Sequence, residues 1–468
     1  MKLKDFEKFL PPPPSSVMVK DKGYAWVILA ASLITLTINW GLVLCFGIYF
    51  ITLLDHFQCS RRDVAAVGAL AYGVLCLAGP LVSHLEQRFG ARILIMFGSV
   101  LASFGMICTF FAVHLWHVYI GFGVIGGFGF SFMYIPCFAI LPRYFDRYQH
   151  FATSFATVGS AVGNLVFSNV LYYAIDLFTW RGSMLINAGF ILQCCVCGAL
   201  MRDNTSVGET KTWEKLDRGL SPKLQEVQQN LQKSQSMDLK HHKISPPYMD
   251  NNNSSKNLFK EMKYLMFLIE CFCYGGSSYV VYSLINDLVI EHGLSMSDSA
   301  SLVSIIGALN IFGRVAASVI THYQCTDRPL FFALATAFFT LSIFTTTLCY
   351  DFSSFACSLA IFGLTYGVKT SQIAAVLIDL FGIDRMATGM AYGVLCSGLG
   401  GFIVPPLAGW LADLLSIESS FLLAAAFSCV ALGSCVTIVL LHRHQVQKAV
   451  RYRSEMDTEK LTGNDIVL

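Results

Sequence analysis

The sequence predicts an all-α membrane protein with twelve transmembrane helices in two sets of six. Three observations carry this. Of 468 residues, 55% are hydrophobic and only 13% are charged, whereas soluble domains carry about 25% charged residues. The apolar residues gather into runs long enough to cross a bilayer, which takes roughly 20 residues each. The basic residues between those runs fall almost wholly on alternate connections, as they do when one face of a membrane is cytosolic.

The runs cover 24–52, 64–84, 92–113, 116–141, 150–175, 182–201, 262–288, 298–321, 330–350, 354–380, 386–412 and 419–441. Spans 3 and 4 nearly fuse through Val113-His114-Leu115-Trp116, so eleven or thirteen spans are the alternatives. The loops favour twelve. With the N-terminus in the cytosol, 27 of the 32 Lys and Arg residues lie inside and only Arg61, Arg62 and Arg181 lie outside. An odd number of spans would scramble that division. The chain therefore divides into a cytosolic tail (1–23), six spans (24–201), a linker (202–258), six spans (259–442) and a second cytosolic tail (443–468). The linker is rich in Lys, Gln, Asn and Ser, a composition that cannot build an apolar core. Its sequons at Asn204, Asn252 and Asn253 face the cytosol in this topology and are expected to be unglycosylated.

Several function classes drop out. There is no basic stripe for nucleic acid. No Ser-His-Asp arrangement, His-Glu-x-x-His motif or paired-carboxylate motif marks an enzyme. Of the 16 cysteines, 14 lie in apolar runs, and the two in loops, Cys59 and Cys325, fall on opposite faces. Cys194, Cys195 and Cys197 read as small packing residues. His56, His114, His117 and His292 are scattered, without metal-ligand spacing. No cofactor or metal is expected.

Two Lys and Arg residues remain, Arg314 and Lys369, and both sit inside spans. A bare cation near the bilayer centre costs about 2.5–3.5 kcal/mol on insertion scales, so such residues turn toward a cavity or a partner. Glu270 in span 7 lies in a similar layer. The three charges sum to +1, which suits an anionic or zwitterionic ligand. A guanidinium fork suits a carboxylate, and this makes Arg314 the first candidate. Lys369 is a second cationic contact. Glu270 is open to three readings: it binds a substrate amine, it protonates during transport, or it pairs with Arg314 or Lys369 to lower the cost of burial. Asn310, Tyr366, Tyr134 and Asn39 complete the candidate lining. Asn39 serves equally as an interhelical hydrogen bond, and the tyrosines equally as packing. Asp287 and Asp379 read as solvated or capping residues at span ends, Asp379 within reach of a cytosolic basic residue such as Arg385.

Glycines crowd span 4 (Gly121, Gly123, Gly126, Gly127, Gly129) and span 11 (Gly393, Gly398, Gly400, Gly401). Close helix packing is the plain reading, and bending during a transport cycle the sharper one. Pro136 and Pro405-Pro406 remove backbone donors in mid-span and are expected to kink their helices.

Three local patterns bring in a resemblance. Asp21-Lys22-Gly23-Tyr24-Ala25-Trp26 enters span 1. Tyr144-Phe145-Asp146-Arg147 enters span 5, followed by Ala152, Ala156, Gly159 and Ser160. Phe178-Thr179-Trp180-Arg181-Gly182 precedes span 6, and Cys197-Gly198-Ala199-Leu200-Met201-Arg202 ends it. Together these resemble the monocarboxylate-transporter family, and the six-plus-six plan resembles the major facilitator fold to which that family belongs. The resemblance implies a carrier of small organic anions or amino-acid-like solutes, working by alternating access in the plasma membrane with both termini cytosolic. Its partners would be a carboxylate-bearing small molecule, the lipid bilayer and, for some members, a single-span glycoprotein chaperone.

The departures qualify this. The family's proton-coupled members carry a span-1 lysine, whose place is held here by Leu44. They carry an aspartate four residues before the span-8 arginine, and here that place is Asn310 before Arg314. Neither Leu nor Asn titrates. The chain is therefore expected to be a divergent member without the usual proton–lactate symport. Gate candidates are Asp21, Arg147 and the inner end of span 2, with His84, Glu86 and Arg88. The alternative to a carrier is a non-transporting receptor or chaperone on the same scaffold.

Overall fold

In a bilayer no water reaches the backbone, so an apolar run must close its own hydrogen bonds as a helix. The computed structural model describes residues 23–145, 148–202, 261–322 and 327–463. Among these residues the regular elements are all helical. The helices before residue 203 and those after 260 form two bundles of six spans, and almost all of the 202–258 linker lies outside the described residues.

The first bundle holds α1 (Tyr24–Leu44), α2 (Gly47–Phe57), α3 (Arg61–Leu77), α4 (Gly79–Phe89), α5 (Ala91–Phe110), α6 (Leu115–Val118), α7 (Gly127–Tyr144) and α8 (Gln149–Leu200). The second holds α9 (Met262–Glu291), α10 (Met296–His322), α11 (Arg328–Thr346), α12 (Phe352–Phe381), α13 (Ile383–Leu414) and α14 (Ile417–Gly463). Ten helical stretches are each long and apolar enough to cross a membrane, and α3 with α4, bent by 46°, makes an eleventh. One of the ten, within α8, is 46 residues long. At about 1.5 Å per residue it is more than twice the thickness of the hydrocarbon core. It breaks at Thr179, where φ is 63° and ψ 169°, so α8 is two spans and the count reaches twelve. Spans 3 and 4 are separate, because α5 ends at Phe110 and α6 starts at Leu115.

Helix continues through Pro136 in α7 and Pro405-Pro406 in α13. Span 4 also holds a π-helical turn at Tyr119–Gly126, just before α7. A Cβ placed on Gly105 of α5 would come within 2.5 Å of the Gly121 carbonyl oxygen, so the glycines there let two backbones nearly touch. The last helix runs past its apolar stretch to Gly463, well into the expected tail. No proline interrupts that sequence.

The bundles meet along small residues. A Cβ on Gly307 of α10 would fall 2.5 Å from the Leu165 backbone nitrogen of α8. One on Gly47 of α2 would fall 2.4 Å from the Tyr282 carbonyl of α9. Tyr279 of α9 donates from its hydroxyl to the Gly68 carbonyl of α3 at 2.9 Å, and its ring stacks on Tyr72 at 4.6 Å.

Candidate functional site

Arg314 is buried, 4% exposed, on α10. Its Nε donates to Asn310 Oδ1 at 2.9 Å, one helical turn earlier on the same face. Its Nη2 donates to Ser160 Oγ at 3.0 Å, and Ser160 lies on α8 of the other bundle. The guanidinium therefore lies in the seam between the bundles, oriented from both sides. It is within electrostatic reach of Tyr366, Tyr274, Tyr282 and Tyr134. Tyr134 and Tyr366 are half-buried. Trp40, also half-buried, meets Tyr134 edge-on at 5.3 Å and Tyr72 at 6.1 Å. Four of the expected lining residues, Arg314, Asn310, Tyr366 and Tyr134, thus come together. Ser160 joins them. The sequence offered it only as part of a signature, with no sign that it faces a cation.

The other embedded charges sit elsewhere. Lys369 Nζ lies 2.6 Å from Glu270 Oε1, and the two side chains are 0% and 1% exposed. Of the readings left open for Glu270, the structure places it in an ion pair with Lys369, between α9 and α12. Asn39 donates from Nδ2 to the Phe130 carbonyl at 2.8 Å, an interhelical bond within the first bundle. Leu44, in the position of the family lysine, is 3% exposed and packed in the apolar core.

Asp21 and Arg147, two of the gate candidates, lie outside the described residues. Their neighbours do meet. Trp26 packs on Phe145 at 5.5 Å and on Tyr148 at 6.4 Å. Tyr24 donates from its hydroxyl to the Leu200 carbonyl, and Tyr144 to that of Arg202. The signature segments of spans 1, 4–5 and 6 therefore converge at the chain-terminal end of the first bundle. Glu86 pairs with Arg143 at 2.6 Å, while the Arg88 guanidinium lies over the Phe89 ring at 5.7 Å. Asp379 pairs at 2.9 Å with Arg328, a basic residue of an inner connection; the side chain of Arg385, the example named from the sequence, lies outside the described residues.

The opposite end of the molecule, distal to both termini, carries a latch. Arg61 Nε lies 2.7 Å from Asp287 Oδ2 and its Nη2 lies 2.5 Å from Glu291 Oε2. The backbone N–H groups of Arg61 and Arg62 donate to the Asp413 carboxylate at 3.0 and 3.1 Å. One basic residue and one helix N-terminus of the first bundle are thus held by three acids from α9 and α13 of the second. Nearby, Ser168 and Asn169 of α8 bond Ser304 of α10 at 2.5 and 2.8 Å. Asp287 is therefore an interbundle ligand of Arg61, not a solvated span end. The available signal was opposite charge at matching distal ends of spans 2, 7 and 11. The described ion pairs at the chain-terminal end, Glu86–Arg143, Arg328–Asp379 and Arg443–Asp327, each stay within one bundle. Among the described residues no cluster of three or more His, Cys, Asp or Glu has metal-binding geometry.

The family model described as Major Facilitator Superfamily matches residues 28–405 and 328–462. Mouse (Mus musculus) monocarboxylate transporter 12 is 28% identical over 451 residues, covering 92% of this chain and 89% of that protein. Human (Homo sapiens) monocarboxylate transporter 6 is 29% identical over 435 residues, covering 88% and 81%. Mouse monocarboxylate transporter 11 is 26% identical over 415 residues, covering 87% and 86%. Among solved structures, a bacterial homolog to the human lysosomal transporter Spinster, in an inward-facing and occupied conformation, superposes with a TM-score of 0.66. It covers 90% of this chain and 97% of that one at 10% identity, a likeness of fold alone.

Proposed function

The chain belongs to the major facilitator superfamily and is a transporter, and on that premise we propose that its cargo is a small carboxylate-bearing solute, an organic anion or amino-acid-like molecule. The position of Arg314 carries this reading. Its guanidinium lies in the seam between the bundles, where it is oriented by Asn310 of one and Ser160 of the other. A planar fork held this way suits two-oxygen recognition. Tyr134 and Tyr366 would flank the bound solute, one from each bundle. Relatives named monocarboxylate transporters support the carboxylate.

Transport would proceed by alternating access. The bundle 24–201 rocks against the bundle 259–442 about the Arg314 layer, with 202–258 as the cytosolic linker and 1–23 and 443–468 as cytosolic tails. The Arg61 latch supports a conformation closed at the distal end. The 27-to-3 division of basic residues supports a cytosolic chain-terminal end, and the plasma membrane is the address that the family resemblance supports. Dependence on a single-span glycoprotein rests on the family resemblance alone. Leu44 and Asn310 stand where proton-coupled relatives carry titrating groups, which supports a carrier without their proton relay.

The test is uptake of a labelled panel (lactate, pyruvate, aromatic amino acids, creatine, carnitine, thyroid hormone) with Arg314→Ala and Arg314→Lys, surface expression being matched. Loss of uptake in both, with little dependence on external pH, is the expected outcome. Full uptake in Arg314→Ala would sink the carboxylate anchor. No uptake of any compound at good surface expression would favour a receptor on the transporter scaffold.

A further inference from the structure

The Lys369–Glu270 pair lies outside the seam, yet it is not isolated from the Arg314 site. Glu270 is four residues before Tyr274 on α9, and Lys369 three residues after Tyr366 on α12. Each spacing puts its two residues on one helix face. The helices therefore meet through two rungs about a turn apart. One is ionic, Lys369 Nζ to Glu270 Oε1 at 2.6 Å. The other is aromatic, with Tyr274 and Tyr366 stacked at 5.7 Å and 24°.

The rungs are joined by the ammonium itself. Lys369 Nζ lies 4.0 Å from the Tyr274 ring centroid, and 5.0 and 5.6 Å from those of Phe332 and Phe339 on α11. A cation over a ring face is attracted by its quadrupole, most strongly where water is absent. The Tyr274 hydroxyl offers a weaker constraint, since its contact with Thr370 Oγ1 is 3.4 Å long. The cation is therefore the stronger polar hold on this ring. Tyr366 in turn leans on Tyr282 at 5.5 Å and Phe362 at 6.0 Å, and lies with Tyr274 in the field of Arg314.

We propose that Lys369 and Glu270 are positioning residues. As a neutral buried pair they fix the Tyr274 ring, and through it Tyr366, against the solute held at Arg314. The proposal rests on the carboxylate reading of Arg314 for its effect on transport, but not for its effect on the rings. Glu270 balances the Lys369 charge in the bundle interior at 2.6 Å, and Lys369 holds the ring. Neither touches the solute.

The double variant Glu270→Gln/Lys369→Met removes both charges at similar volume, and so leaves no lone buried charge to unfold the protein. A 3-fluorotyrosine placed at Tyr366 reports the ring by ¹⁹F NMR, with no substrate required. The expected result is a displaced and broadened fluorine resonance. Tyr274→Leu reproduces it, and Tyr274→Phe, which keeps the ring, does not. In the uptake panel the same two perturbing variants raise KM by about three- to ten-fold, the scale of one cation–ring contact, with Vmax little changed. An unchanged resonance in the double variant and in Tyr274→Leu overturns the proposal. A displaced resonance with unchanged KM, for a solute whose uptake Arg314→Ala abolishes, overturns the transport role. If Arg314→Ala leaves uptake intact, the carboxylate reading fails, and the fluorine signal still decides the ring coupling.

Discussion

Arg61→Ala should release the distal latch. The substitution removes two ion pairs but leaves the Arg61 backbone N–H on Asp413. The Asp287 side chain is 10% exposed and Arg61 27%. A charged hydrogen bond of 2.7 Å in that setting is worth about 1.5–2 kcal/mol. Glu291 is 41% exposed, so its pair adds only about 0.5 kcal/mol after screening. The sum, about 2 kcal/mol, shifts the equilibrium between closed and open distal ends by roughly 30-fold. The reporter is Ser283→Cys. Ser283 is 1% exposed, and its carbonyl lies 3.1 Å from where a Cβ on Gly47 would sit, so it is covered while the bundles are latched. A membrane-impermeant maleimide, applied to intact and to permeabilised cells, reads the labelling rate from each side. With Arg61→Ala the rate from the distal side should rise by roughly 30-fold. A change of less than two-fold, with surface expression intact, would refute the view that this cluster holds the distal end shut.

Other outcomes follow from the same geometry. Asn310→Asp puts a carboxylate 2.9 Å from Arg314 Nε. It should compete with the solute at neutral pH and be displaced on protonation, making uptake acid-stimulated; a flat pH profile would argue against Arg314 as the anion site. A Cβ on Gly400 would lie 1.9 Å from the Phe272 carbonyl, whereas one on Gly433 meets nothing within 4 Å. Gly400→Ala should therefore lower stability by about 1–3 kcal/mol and Gly433→Ala should not, read as the detergent melting temperature. Cys59 lies in the loop between α2 and α3, where burial and then the Asp63 carboxylate push its thiol above the ordinary value. Its thiolate is thus scarce at neutral pH, and maleimide labelling should be slow there and accelerate as pH rises; fast labelling at pH 7 would contradict that.

Much of the fold could be read from local chemistry. A span of about 20 apolar residues must be helical in lipid, and basic residues sort by side, so twelve spans with termini on one face followed from the sequence. Individual buried charges were also visible, because Arg314, Lys369 and Glu270 are conspicuous in apolar runs. Their partners were not. Charge balance allowed Glu270 to pair with either cation, and only the placement of α9 and α12 in the second bundle selects Lys369. Depth along a span is set by counting residues, but the direction a side chain faces depends on helix rotation, which no span boundary supplies.

The sequence by itself determined the spans, the topology and the presence of costly charges, since each follows from the solvent that a segment meets. Tertiary structure alone decided that Arg314 bridges to Ser160, that Lys369 is neutralised by Glu270 over the Tyr274 ring, and that Arg61 gathers acids from two helices of the other bundle. Those contacts join residues as far as 352 positions apart, and a pairing at such separations is fixed by how whole helices pack, not by any local preference of the chain.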